Sequence, residues 1–98
     1  MPTYEAAEAF YRALERLAPE QQRRFRIAVR ELVEALRQRP PAFPARLRVK
    51  RVRGHPGIWE LSFAPDGRAT FKYGDEVAPG EPHVIWRRVG DHSILRSP

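Results

Sequence analysis

The spacing of apolar residues changes once along the chain, at Pro40-Pro41, and that change restricts the fold more than any other feature. Before it, apolar side chains recur every three or four residues, the period of a helix with one buried stripe. Tyr4, Ala7, Phe10, Leu14 and Leu17 form such a stripe, with Glu5, Glu8, Arg12, Glu15 and Arg16 largely on the other side, so a helix is predicted over 4–17 with Thr3 as its N-cap. Pro19 suits the first turn of a second helix. That helix runs from about Glu20 to Arg39 on Phe25, Ala28, Val29, Leu32, Val33 and Leu36, with Arg37 and Arg39 near its C-terminal end. Two prolines in succession cannot continue a helix, and they stop it.

After the prolines the period falls to two, as in strands with one buried face. Arg46 to Lys50 alternates polar and apolar and then slips phase at Lys50-Arg51. Ile58 to Phe63 puts Trp59, Leu61 and Phe63 on one face and Glu60 and Ser62 on the other. Pro65-Asp66-Gly67 is a hairpin turn, and the following strand alternates Ala69, Phe71 and Tyr73 with Arg68, Thr70 and Lys72. His83 to Val89 is the fourth strand, after a Gly- and Pro-rich loop. One apolar stripe per helix and one apolar face per strand lead to an α+β fold: an N-terminal helical hairpin (4–39) packed on one face of a four-stranded antiparallel sheet (45–89), then a tail (90–98). Phe10, Leu14, Phe25, Val29, Leu32, Leu36, Trp59, Leu61, Phe63 and Phe71 are the expected core. The other sheet face is then open and polar, carrying Glu60, Ser62, Arg68, Thr70 and Lys72.

Ninety-eight residues suffice for one domain with one modest core. No apolar run is long enough to span a membrane and no secretory signal precedes the first helix, so a soluble cytoplasmic protein is expected. With no cysteine, disulfides and thiolate metal sites are excluded, and His55, His83 and His92 are too scattered to read as a metal site. No cofactor is called for, because the chain has no phosphate-cradling glycine loop. The formal charge is +6, and its densest part, Arg46, Arg48, Lys50, Arg51 and Arg53, contains no acid. Such a stripe suits a phosphate backbone or an acidic protein partner, or is a solvated basic strand.

Three side chains could share the work of cutting RNA through its own 2′-hydroxyl, a reaction that needs a base, a cation at the phosphate and an acid for the leaving oxygen. Glu60 is the candidate base, Arg68 the phosphate clamp and His92 the acid. Simpler roles stand beside these. Glu60 could pair across strands with Arg68 or Lys72, and His92 could be a surface or capping residue.

Leu47-Arg48-Val49-Lys50-Arg51-Val52-Arg53-Gly54-His55-Pro56-Gly57-Ile58-Trp59-Glu60-Leu61 resembles the RelE/ParE pattern of a basic strand, a glycine-containing loop and an aromatic-led strand. Pro65-Asp66-Gly67-Arg68-Ala69-Thr70-Phe71 resembles that family's turn followed by Arg-x-x-aromatic, and Val89-Gly90-Asp91-His92-Ser93-Ile94-Leu95 resembles its closing Gly-x-His or Gly-x-Arg signature. The order of these motifs behind a helical hairpin carries the resemblance over nearly the whole chain. It implies the toxin of a type II toxin–antitoxin system, a metal-independent endoribonuclease cleaving mRNA on the ribosome. The alternatives are a non-catalytic RNA- or protein-binding module of the same fold, or a gyrase-inhibiting ParE-type toxin. The partners implied are a cognate antitoxin, mRNA and the ribosome, with no membrane, and homo-oligomers only through the antitoxin. The family's functional residues match Glu60, Ser62, Arg68 and His92. RNA contacts fall to Arg46, Arg48, Lys50, Arg51, Arg53, Ser62 and Lys72. Two family features look absent: a strand before the helices, and a C-terminal tyrosine for base stacking, whose role would pass to Trp86 or His55.

Overall fold

The computed structural model describes residues 1–98. The elements in chain order are β1 (Thr3–Ala6), α1 (Glu8–Arg16), α2 (Pro19–Leu36), a 3-10 turn (Ala45–Leu47), β2 (Lys50–Arg51), β3 (Trp59–Ala64), β4 (Gly67–Gly74), β5 (His83–Gly90) and a second 3-10 turn (His92–Arg96). The sheet has five strands in the order β1-β5-β4-β3-β2 and is mixed, since β1 runs parallel to β5. The expected four-stranded antiparallel sheet is corrected on both counts. Thr3 to Ala6 fits either period, because Tyr4 and Ala6 alternate as well as they join a helical stripe. Pairing with β5 decides the matter, and Thr3 donates its amide to Pro82 O at 3.0 Å instead of capping a helix. The opening strand that looked absent is therefore present.

α1 begins only after Ala7, and α2 stops at Leu36, before Arg37 and Arg39. α1 packs on β5 and α2 on β3, so the hairpin straddles the sheet. The core takes the predicted apolar face of β3 and β4, with Leu61, Phe63, Ala69 and Phe71, and adds Val84, Trp86 and Val89 of β5, for which no face was predicted; these meet Phe10, Phe25, Ala28, Leu32 and Leu36. Leu14, Val29 and Trp59 flank it half-buried, so Trp59 points inward as assigned without being enclosed. Trp86 is 7% exposed and its ring lies 5.9 Å from Phe10 and 5.3 Å from Phe25, which removes it as a base-stacking residue.

Two departures shape the opposite face. Ala45–Leu47 form a 3-10 turn where a strand was expected. Arg48 ends that turn in the left-handed region at φ 49°, which leaves β2 only two residues. In β5 a bulge opens where Thr70 pairs with Arg88 and Phe71 with Trp86, so Arg87 has no partner across the ladder.

Candidate functional site

Arg68 holds the central position of the polar sheet face, paired with Ser62 of β3 on one side and Gly90 of β5 on the other. Its side chain folds back over the β3–β4 turn, and Nη1 donates to the carbonyls of Ala64 (3.2 Å), Pro65 (3.3 Å) and Gly67 (3.0 Å). Those three bonds use one nitrogen only. The Nε–H and Nη2 edge has no protein partner, and it is the edge that grips two phosphate oxygens. The turn thus aims the guanidinium and leaves its fork available. Arg46, Arg48, Ser62, Ala64, Pro65 and Arg68 surround a cleft of about 200 Å³ here. Arg46 also pairs with Glu31 of α2, which ties the 3-10 turn to the helix, although its side chain stays 73% exposed.

Glu60 lies two residues from Ser62 on the same face, opposite Thr70 and Lys50. It is 6% exposed, against the expectation of an open carboxylate. The alternative of a cross-strand ion pair with Arg68 or Lys72 does not form, for no salt bridge joins them.

His92 opens the second 3-10 turn and is exposed. Its amide donates to Asp66 Oδ1 at 3.3 Å, which fastens it to the turn that Arg68 crosses. Asp91 caps the segment, accepting from Ser93 Oγ at 2.5 Å and Ser93 N at 2.8 Å, and these bonds hold its carboxyl below the usual aspartate range. The tail then turns over the polar face. Ile94 is buried, and a Cβ at Gly90 would meet Ile94 Cγ2 at 3.0 Å, so a side chain at 90 would push the tail away. The face expected to be open is therefore partly roofed, which helps explain why Thr70 has no exposed surface.

Arg68, Ser62, Arg46 and Arg48 come together, with His92 anchored alongside. Lys50, Arg51 and Arg53 lie elsewhere: Lys50 beside Glu60, Arg51 with its guanidinium 5.2 Å from the Trp59 ring centre, and Arg53 in the loop beyond, close to His55 in sequence. Lys72 is half-buried opposite Ile85. Sequence reading missed Arg87 and Arg88, which donate to the main-chain oxygens of Pro98 and Ser97. Two adjacent arginines interrupting an alternating strand were a legible sign of a bulge. No group of three His, Asp or Glu side chains gathers closely enough to hold a metal ion.

No protein-family profile and no curated protein matches the chain. Solved structures do. The E. coli DinJ–YafQ complex contains a chain that superposes with a TM-score of 0.68 at 15% identity, covering 97% of this chain and 98% of that one. The YoeB/ParE toxin from Agrobacterium tumefaciens gives 0.66 at 13% identity over 92% and 98%. The RelB–RelE antitoxin–toxin complex from Methanococcus jannaschii gives 0.64 at 13% over 93% of each. At full-length coverage, and with the opening strand and five-stranded sheet in place, the chain has the fold of the RelE, YafQ and YoeB/ParE toxins.

Proposed function

We propose that this chain is the toxin of a toxin–antitoxin pair and cleaves RNA without a metal ion at the Arg68 face. The observation that carries the reading is the Arg68 fork, oriented by turn carbonyls and open on its phosphate-binding edge within a cleft of arginines. The likeness to toxin chains supports it at the level of fold. In the proposed reaction the 2′-oxygen attacks the adjacent phosphorus and expels the 5′-oxygen, leaving a 2′,3′-cyclic phosphate and a 5′-hydroxyl. Arg68 neutralises charge gathering on the phosphate oxygens. Glu60 on the β3 side takes the 2′-hydroxyl proton, and His92 beyond β5 protonates the leaving oxygen. Arg68 sits between those two flanks, and in-line displacement requires base and acid on opposite sides.

The burial of Glu60 favours a second reading, a binding module that holds RNA without cutting it. Purified protein added to translating ribosomes in the presence of a chelator separates the two. Cleavage of message to 5′-hydroxyl ends supports the first. Intact message alongside measurable RNA binding supports the second.

A further inference from the structure

A second space lies beside β5, away from the Arg68 cleft, with a volume of about 520 Å³. Lys72, Arg87 and Arg88 line it, with Glu5 the one acid. Strict alternation would send Arg87 and Arg88 to opposite faces of the sheet. The bulge at Arg87 cancels that alternation, and both side chains reach the same stretch of tail. It also diverts the Arg88 amide from the ladder onto Thr70 Oγ1 at 3.1 Å, so the irregularity is hydrogen-bonded at a fully buried hydroxyl. Bulges re-aim side chains in this way at sheet edges and next to active sites.

What the two arginines hold is informative. Arg87 Nε and Nη2 converge on Pro98 O at 3.4 and 3.2 Å, and Arg88 Nη1 reaches Ser97 O at 2.8 Å. A guanidinium presenting Nε and Nη2 to one region of oxygen is in its phosphate-gripping pose. Here the oxygens are those of the chain's own Ser97 and Pro98, and Pro98 is buried. We infer that Lys72, Arg87 and Arg88 form a second phosphate site, that the tail occupies it in the free protein, and that the backbone of an RNA strand displaces the tail. This rests on the RNA reading above, and adds to it an internal competitor for the strand.

The test is binding of a fluorescein-labelled 12-nucleotide 2′-O-methyl RNA, which cannot be cut. A tail effect on affinity is then visible whether or not the protein is a nuclease. Deleting Ser97 and Pro98 is expected to tighten binding between about three- and ten-fold, the scale of one charge-assisted contact at an exposed site. Arg87→Gln in the shortened chain should reverse that gain and reduce the salt slope by about one. In the full chain the same substitution should matter less. Equal affinity for full and shortened chains would overturn the inference, as would an Arg87→Gln effect independent of the tail. Inorganic phosphate is the control: tightening seen with phosphate and not with RNA would assign the site to small anions and sink the strand-displacement claim. Should the shortened chain not fold, side-chain NMR of the full chain decides. The Arg87 Nε–H resonance must shift while the residue 97 amide sharpens as RNA is added, and an unmoved Arg87 signal refutes the competition. Message cleavage with no tail effect would leave the proposed function standing and this site wrong.

Discussion

Arg68 and Glu60 face the same side of the sheet and are held in opposite ways, which makes their substitutions informative together. Arg68 is anchored by three carbonyls that belong to a tight turn, and that turn retains its backbone pairing when the side chain is cut back. Arg68→Ala is therefore expected to lower the cleavage rate about 10²–10³-fold, as loss of a charge-stabilising donor does, with little change in melting temperature. Single-turnover assays on ribosome-bound message check it, and unchanged cutting removes Arg68 from the site. Glu60 is buried without an ion-pair partner, so Glu60→Gln removes a charge from a poorly solvated position. The fold should hold or gain slightly in stability while the rate falls. A lowered melting temperature with an unchanged rate would make Glu60 a scaffold residue. His92 is exposed and fastened by its amide, so His92→Gln should leave the fold intact and slow cleavage, as single-turnover assays would record.

Between elements, the β1–β5 seam shows what short segments need to stay in place. β1 has one hydrogen-bonded neighbour and carries Tyr4, which is 66% exposed, so packing contributes little to holding it. Across the seam, His83 is 5% exposed and uses both ring nitrogens, Nδ1 with Thr3 Oγ1 and Nε2 with Glu5 Oε1, each at 2.7 Å. His83→Ala should cost about 1–3 kcal/mol by leaving a buried gap and unpaired polar atoms, and hydrogen exchange should show the loss first at Thr3–Ala6. The tail has its own latch. Because hydrogen bonds from Ser93 lower the Asp91 carboxyl, its contribution is complete above the ordinary aspartate value of 3.8 and is lost as pH falls through the depressed one. Acid should thus loosen the turn carrying His92, and Asp91→Asn should weaken that response, as NMR shifts of residues 91–94 would record. These seams also mark where the sequence was hardest to read. Leu61, Phe63, Ala69 and Phe71 announced their face because each sits in a long alternating run. Four residues at Thr3–Ala6 fit two periods, and Arg46 to Lys50 alternates in sequence while Arg48 takes a left-handed backbone. At Thr3–Ala6 a distant strand settled what local pattern could not. Arg68 and His92 stood out by residue type, but the partial roof over the polar face did not, since the second 3-10 turn reaches β4 and β5 through tertiary contact alone.

For the whole molecule, charge and shape set what it can meet. A net charge of +6 with the arginine cleft on one end of the polar face favours an acidic partner segment that orders on contact. The proposed antitoxin should therefore form a complex at physiological salt that loosens as ionic strength rises, measurable by gel filtration of the co-expressed pair. A complex indifferent to salt would place the contact on apolar surface instead. The pairing of Thr3 with His83 has a further consequence, in time and not in space. β1 has nothing to pair with until β5 has been made, some eighty residues later. Contacts so distant along the chain form late and slowly. Arg87, Arg88 and the segment they hold come from the same stretch, 83–98, so the β5 side of the polar face is assembled after its β3–β4 side. A chain made only as far as β4 would have its helices, its β3–β4 hairpin and the Arg68 cleft, and would still lack the segment that carries His92.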